Sequence, residues 1–351
     1  MIDESQLQVR PKDGGPSLSL SKVGPGLIAR GRRDAANLVG PPSQGPADPL
    51  SEVRRLAEEG NADAQKDLGH VYYFGQGVPQ DYAEAARWWR KVADQGDAWA
   101  QSALGDMYSE GRGVPQDYIE AVHWYRKAAD QGYEEAQWEL GCIYHKGQGV
   151  PQDFAEAARW FREVAEKGDA SAQFNLGLMY AIPQGLAEDY PESARWYRKA
   201  AEQGHAEAQY DLGCMYYEGE GVAQDYAEAA LWYRKAAEQG HARAQFNLGV
   251  MYDIPRGMAQ DYAEAACWYR KAAEQGYADA QFNLGCRYAN GQGVPQDFAT
   301  AYMWLSLAAS HASGEQQKEY ASWRDRVAGK MTTQQIAEAQ RSAREWKPRT
   351  P

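Results

Sequence analysis

Residues 205–240 read HAEAQYDLGCMYYEGEGVAQDYAEAALWYRKAAEQG, and the stretches on either side say nearly the same thing. Between Asn61 and His311 this 36-residue sentence recurs seven times. Its common form is Ala-x-Ala-Gln-x-x-Leu-Gly-x-x-Tyr, then Gly-x-Gly-Val-Pro-Gln-Asp-Tyr-Ala-Glu-Ala-Ala-x-Trp-Tyr-Arg-Lys-Ala-Ala-Glu-Gln-Gly. A period of this size marks a stacked array, in which each unit leaves an apolar face bare and the next unit covers it. A chain of 351 residues is therefore expected to form one extended body rather than two or three ordinary domains.

Within a unit the first helix is predicted from about the second to the fourteenth position, as in Ala206 to Glu218, and to end at a turn such as Gly219-Glu220-Gly221. The second helix opens on Asp225 with Glu228 three residues on. That is the spacing of a capping box, and it recurs at Asp81/Glu84, Asp117/Glu120, Asp153/Glu156, Asp189/Glu192 and Asp261/Glu264; the seventh unit departs from it with Asp297 and Thr300. Gly96, Gly132 and Gly240 at the last position supply a left-handed stop. The units also alternate. Cys142, Cys214 and Cys286 mark units three, five and seven, whereas Pro183 and Pro255 replace the first loop glycine in units four and six and are expected to alter the turn. The cysteine series thus traces duplication of a 72-residue pair and not a disulfide framework.

The flanks differ from the repeats. Residues 1–47 are dense in Gly and Pro and are predicted to be a disordered tail, and the segment from Asp48 reads as half a unit capping the first repeat. Residues 312–351 are predicted to form C-terminal capping helices. One covers Glu315 to Val327, and a second opens on a capping box at Thr332 and Gln335 and runs to Glu345.

These motifs resemble the Sel1-like repeat, which is similar to the tetratricopeptide repeat. Over about residues 48–311 the resemblance implies an all-α, right-handed superhelical solenoid of antiparallel helix pairs. It also implies a non-catalytic adaptor whose partner is a protein or peptide. Some secreted bacterial members carry a cysteine pair in every repeat and are linked to penicillin binding and β-lactam hydrolysis. This chain lacks the pair, so their oxidised setting is not carried over. A β-lactam hydrolase and a secreted host-directed effector stand as alternatives.

Charge and spacing narrow the chemistry. With 49 acidic against 37 Lys and Arg residues, a net charge of -12 argues against a nucleic-acid partner. No apolar run approaches the ~20 residues of a membrane span, and Met1 to Gly15 lacks the pattern of a secretory signal, so a cytoplasmic protein without membrane insertion is expected. Ser19-Leu20-Ser21-Lys22 satisfies Ser-x-x-Lys but sits in the breaker-rich tail without companion motifs, so no catalytic residue is expected. The Gly-x-Gly loops follow helices and read as turns rather than phosphate cradles. None of the six histidines has metal-ligand spacing, and no metal or cofactor is expected; His205 and His241 open equivalent helices. Arg198-Lys199, Arg234-Lys235 and Arg270-Lys271 are expected to pair with Glu202, Glu238 and Glu274 one turn later.

Recognition is expected on the first helices. With residues 100° apart, positions 4, 5, 8, 9 and 12 of a unit cover an arc of about 140°, and the changing positions 3, 6, 7, 10, 13 and 14 fall opposite it, at about 180° to 300°. In this family's superhelix the first helices line the concave surface. There position 6 would supply a row of rings, Trp138, Phe174, Tyr210, Phe246 and Phe282, with Glu139, Asn175, Asp211, Asn247 and Asn283 beside them at position 7. Rings would anchor an extended segment and amides would bond its backbone. The rings lie near the edge of the packing arc, so they either line the groove or pack on the next first helix. The asparagines are the cleaner surface positions.

Overall fold

The computed structural model describes residues 50–182 and 186–349, and all regular structure in them is α-helix. They form two compact units that divide between Glu188 and Asp189. The first holds α1 (Ser51–Glu58), α2 (Ala62–Phe74), α3 (Tyr82–Asp94), α4 (Ala98–Glu110), α5 (Tyr118–Ala129), α6 (Glu134–Lys146), α7 (Phe154–Glu166) and α8 (Ala170–Ala181). The second holds α9 (Tyr190–Glu202), α10 (Ala206–Glu218), α11 (Tyr226–Glu238), α12 (Ala242–Asp253), α13 (Tyr262–Glu274), α14 (Ala278–Asn290), α15 (Phe298–His311), α16 (Gly314–Ala328) and α17 (Thr333–Glu345). Within each unit every helix packs on the one that follows it, except that α17 returns to α15. The half-repeat ahead of Asn61 is α1, whose Ala57, Val53 and Leu56 pack on α2. Ser19, Lys22 and Pro183 lie outside the described residues.

The helix pair is built around position 29, where Trp89, Tyr125 and Phe161 in one unit and Tyr197, Tyr233, Tyr269 and Leu305 in the other are buried. The glycine of the Leu-Gly pair exists to admit this side chain. A Cβ on Gly213 would stand 2.7 Å from Cδ1 of Tyr233, so the close approach is made by a ring rather than by backbone.

Polar residues that recur do so because they tie one repeat to the next. The Gln at position 5 donates to a carbonyl of the preceding second helix and accepts from the end of its own. Gln245 Nε2 reaches the Ala237 carbonyl at 3.0 Å and its Oε1 accepts from Gln275 Nε2 at 2.8 Å. Gln101 repeats this with Ala93 and Gln131. The Arg of each Arg-Lys pair donates to the Tyr at position 12 of the following repeat, at 2.6 Å for Arg126 and Tyr144 and 2.7 Å for Arg270 and Tyr288.

Two local expectations fail because another partner outcompetes the expected one. The predicted capping boxes are half formed. Asp225 accepts from the amides of Ala227 and Glu228, but its own N–H, which Glu228 would need, is donated to the Tyr216 carbonyl at 2.9 Å. Asp81, Asp117, Asp153, Asp261 and Asp297 are held the same way by Tyr72, Tyr108, Tyr144, Tyr252 and Tyr288. A complete box forms at Thr332 and Gln335, where no such carbonyl intervenes. Nor do the Arg-Lys pairs meet the glutamates one turn on. Arg198 and Arg234 bond Tyr216 and Tyr252, while Lys199, Lys235 and Lys271 lie 3.9, 3.8 and 3.7 Å over the rings of Trp196, Trp232 and Trp268.

Other expectations hold. Gly96, Gly132 and Gly240 have positive φ. In unit six, where Pro255 replaces glycine, α12 ends on an extended Ile254 and not on a left-handed residue. His205 and His241 act as N-caps, their Nδ1 accepting from Ala208 and Ala244 in the role Asp97 and Asp169 play elsewhere.

Candidate functional site

The ring row is interior. Trp138, Phe174, Tyr210, Phe246 and Phe282 are only 1–8 % exposed. Three of them bridge layers, and Trp138 meets the second helix of its own repeat. Trp138 meets Phe161 edge-on at 5.3 Å. Tyr210 stacks at 4.7 Å on His241, which opens the next first helix, and Phe246 sits 5.2 Å from Tyr277 in the same relation. Phe282 stacks at 4.3 Å on Tyr320 of α16, so the cap helix takes the place of an eighth repeat. Of the two readings open for the rings, packing on the next layer is the one the geometry gives.

The asparagines are a correction. Asn175, Asn247 and Asn283 are 0–5 % exposed rather than on the surface. A first helix is covered by its own second helix and by the helices of the layers before and after it, so its buried arc is wider than the conserved stripe alone suggests. Glu139 and Asp211 are the two candidates that remain partly exposed.

Side chains at positions 7, 10 and 13 answer the tyrosine hydroxyls at position 29. Tyr125 donates to Asp106 Oδ1 at 2.8 Å, Tyr233 to Cys214 Sγ at 3.3 Å, and Tyr269 to Asp253 Oδ2 at 3.0 Å. Tyr197 is hydrogen-bonded to Asp211, and Asn247 and Asn283 stand beside the hydroxyls of Tyr233 and Tyr269. A buried hydroxyl without an acceptor is costly, which accounts for a polar residue near each ring.

These environments set the chemistry of the titratable groups. Burial pushes the Asp106 carboxyl up to about 8, assisted by the nearby Glu139 and Glu110 and opposed by the Tyr125 hydrogen bond. Burial likewise pushes the Cys214 and Cys286 thiols up to about 12, which keeps them protonated and poorly nucleophilic. Glu207 is held below the ordinary carboxylate range by its bond to His241 Nε2 at 3.0 Å. Among the described residues no three metal-capable side chains gather, and no helix is long and apolar enough to cross a membrane.

One feature escaped the sequence reading. Arg287 stands at position 11, where the other repeats carry Val71, Met107, Ile143, Met179, Met215 and Met251, and it pairs with Asp253 at 2.9 Å with both side chains buried. An Arg in an otherwise apolar column was a visible signal.

Comparison with known proteins places this geometry. The Sel1 repeat profile matches residues 62–97, 100–133, 134–169, 170–205, 206–241, 242–277 and 278–313. A Sel1 repeat protein from Oxalobacter formigenes is similar at 33% identity, covering 89% of this chain and 94% of that one, with a TM-score of 0.67. The protective antigen c5321 of uropathogenic Escherichia coli strains, which displays an SLR fold, is 28% identical, covering 91% of this chain and 94% of its own, with a TM-score of 0.48. No curated protein matches the chain.

Proposed function

This chain belongs to the Sel1 repeat family, and we propose that it is a non-catalytic scaffold that holds a protein or peptide segment along the exposed edge of its first helices. The observation that supports this reading is where sequence change coincides with solvent. The recurrent Gln, Arg, Tyr and Gly residues are all engaged in stacking. Position 3 runs Glu207, Arg243, Asp279 and position 14 runs Glu218, Ile254, Asn290, each at least partly exposed, although Glu207 and Asp279 also bond to the layer that follows. A constant frame with changing exposed side chains is the way repeat arrays discriminate partners. Of the ten candidate residues, Asp211 in the second compact unit is assigned to the partner contact alongside its bond to Tyr197, and the buried rings and amides of that unit to shaping the wall behind it. The protein is placed in the cytoplasm.

The test is a photo-crosslinking amino acid installed in turn at Glu207, Asp211 and Arg243, with Leu231 and Cys267 on the second helices as controls. Adducts to a protein partner are expected at the first three and not at the controls. Equal yields at both sets would refute the surface assignment. Turnover of a chromogenic β-lactam that Ser19→Ala abolishes would refute the non-catalytic part.

A further inference from the structure

Where the repeats end, α16 covers α14 without the Leu-Gly wedge of a true repeat, and a cavity of about 250 Å³ is left between them. Its walls are apolar: Leu305 of α15, Trp323 and Val327 of α16, and the Cys286 thiol, which burial keeps protonated and neutral. Its rim is cationic, with Arg326 and Lys330 beside the Asn290 amide.

Arg326 lies in the last turn of α16 and Lys330 two residues past its end, and both border the cavity. Their neighbours are rings: the Arg326 guanidinium lies 4.7 Å from the Trp323 ring and the Lys330 ammonium 5.2 Å from that of Phe298. Among the described residues no carboxylate lies within ion-pair distance of either, although Lys318 and Arg324 on the same helix are paired with Glu315 and Asp325. One cation in a last helical turn is ordinary compensation for the helix dipole. Arg326 and Lys330 are exposed and, among the described residues, carry no carboxylate partner, so in a chain of net charge -12 they set a local cationic rim at the mouth of the cavity.

We propose that this cavity binds a carboxylate carried on one compact apolar group, with the apolar part against Trp323, Leu305 and Val327 and the carboxylate between Arg326 and Lys330. The Asn290 amide is placed to donate to the same carboxylate. Pockets for drug-sized ligands are usually ~300–1,000 Å³, so this one suits a single side chain. A free small carboxylic acid and the C-terminal residue of a peptide offer the same chemistry. The site is separate from the crosslinking positions of the scaffold reading, and failure of either leaves the other standing.

The full chain is titrated, by NMR or calorimetry, with N-acetyl-leucine, with N-acetyl-leucinamide and with a tetrapeptide ending in leucine with a free carboxylate. An acid is expected to bind at least about tenfold more tightly than the amide. The double variant Arg326→Gln, Lys330→Gln is expected to lose that preference while its helical circular dichroism and thermal midpoint stay at wild-type values. Ala289→Leu, which narrows the cavity, is expected to weaken both acids. A tetrapeptide at least about tenfold tighter than N-acetyl-leucine assigns the site to peptide ends, and equal affinities assign it to free acids. Equal binding of acid and amide, or no binding of either acid, overturns the proposal.

Discussion

Replacing Arg287 with Met would give unit seven the residue that Met251 provides one repeat earlier, yet it is expected to damage the fold. The guanidinium is 2.9 Å from Asp253 Oδ2 with side-chain exposures of 3% and 0%. It also donates to Gln292 Oε1 at 2.9 Å and lies over the Tyr262 ring. Without it a fully buried carboxylate loses its ion pair while keeping the Tyr269 hydroxyl at 3.0 Å. Breaking a buried pair from one side costs about 3–5 kcal/mol, and the surviving hydroxyl puts this case near the lower end, at about 3 kcal/mol.

Two other interfaces show how the defect can be repaired. Tyr73 accepts from Arg112 at 2.6 Å and Tyr217 from Arg256 at 2.9 Å, each Arg coming from the loop of the following repeat. At the last interface the tyrosine has become Asp253, the loop position Gln292, and the cation has moved into the helix as Arg287. Because Asp253 also accepts from the buried Tyr269 hydroxyl, that tyrosine must become phenylalanine, as at Phe161: the quadruple variant Asp253→Tyr, Tyr269→Phe, Arg287→Met, Gln292→Arg rebuilds the earlier arrangement without stranding a hydroxyl and is expected to return to within about 1 kcal/mol of wild type. Hydrogen exchange suits the measurement because a defect in a repeat array lowers protection nearby and spares distant repeats. About 3 kcal/mol raises local opening of α12 and α14 on the order of a hundredfold. Unchanged protection in Arg287→Met, or a quadruple variant less protected than the single one, would refute the argument.

Three further outcomes are expected. Because the folded state holds the Asp106 proton up to about pH 8 and the unfolded chain releases it near 4, stability falls as pH rises across that window. Asp106→Asn, which can still accept from Tyr125, should match wild type near about pH 5 and exceed it by about 3 kcal/mol above about pH 8, allowing for partial exposure, as read from urea midpoints; parallel pH profiles would count against it. Gly213→Ala forces a methyl to 2.7 Å from the immobile Tyr233 ring and should cost about 1–3 kcal/mol in thermal unfolding, with an unshifted midpoint as the contrary result. Gln245→Ala removes both of its inter-helix bonds and should cost about 1–2 kcal/mol, whereas exchange protection in α11 and α12 equal to wild type would show the amide ladder to be dispensable.

The helices were legible because the 36-residue period restates each boundary seven times, and the residues that end helices, such as Gly96 and Pro255, act locally. The site was not, because change from repeat to repeat was taken as freedom from packing. Position 29 shows otherwise. Where it is Phe161 or Leu305 no acceptor is needed, and where it is Tyr125, Tyr197, Tyr233 or Tyr269 a different residue supplies one: Asp106, Asp211, Cys214 or Asp253. Such residues vary because several chemical solutions satisfy one buried hydroxyl, so a variable column in a repeat is evidence for recognition only after the hydroxyls beside it have been assigned. The same logic makes Tyr73 with Arg112 and Tyr217 with Arg256 informative, since in both the partners are separated by 39 residues, the separation of Asp253 from Gln292. The exchange of residues at that one interface, with Arg287 in an apolar column, marks a buried charge that periodicity alone would have averaged away.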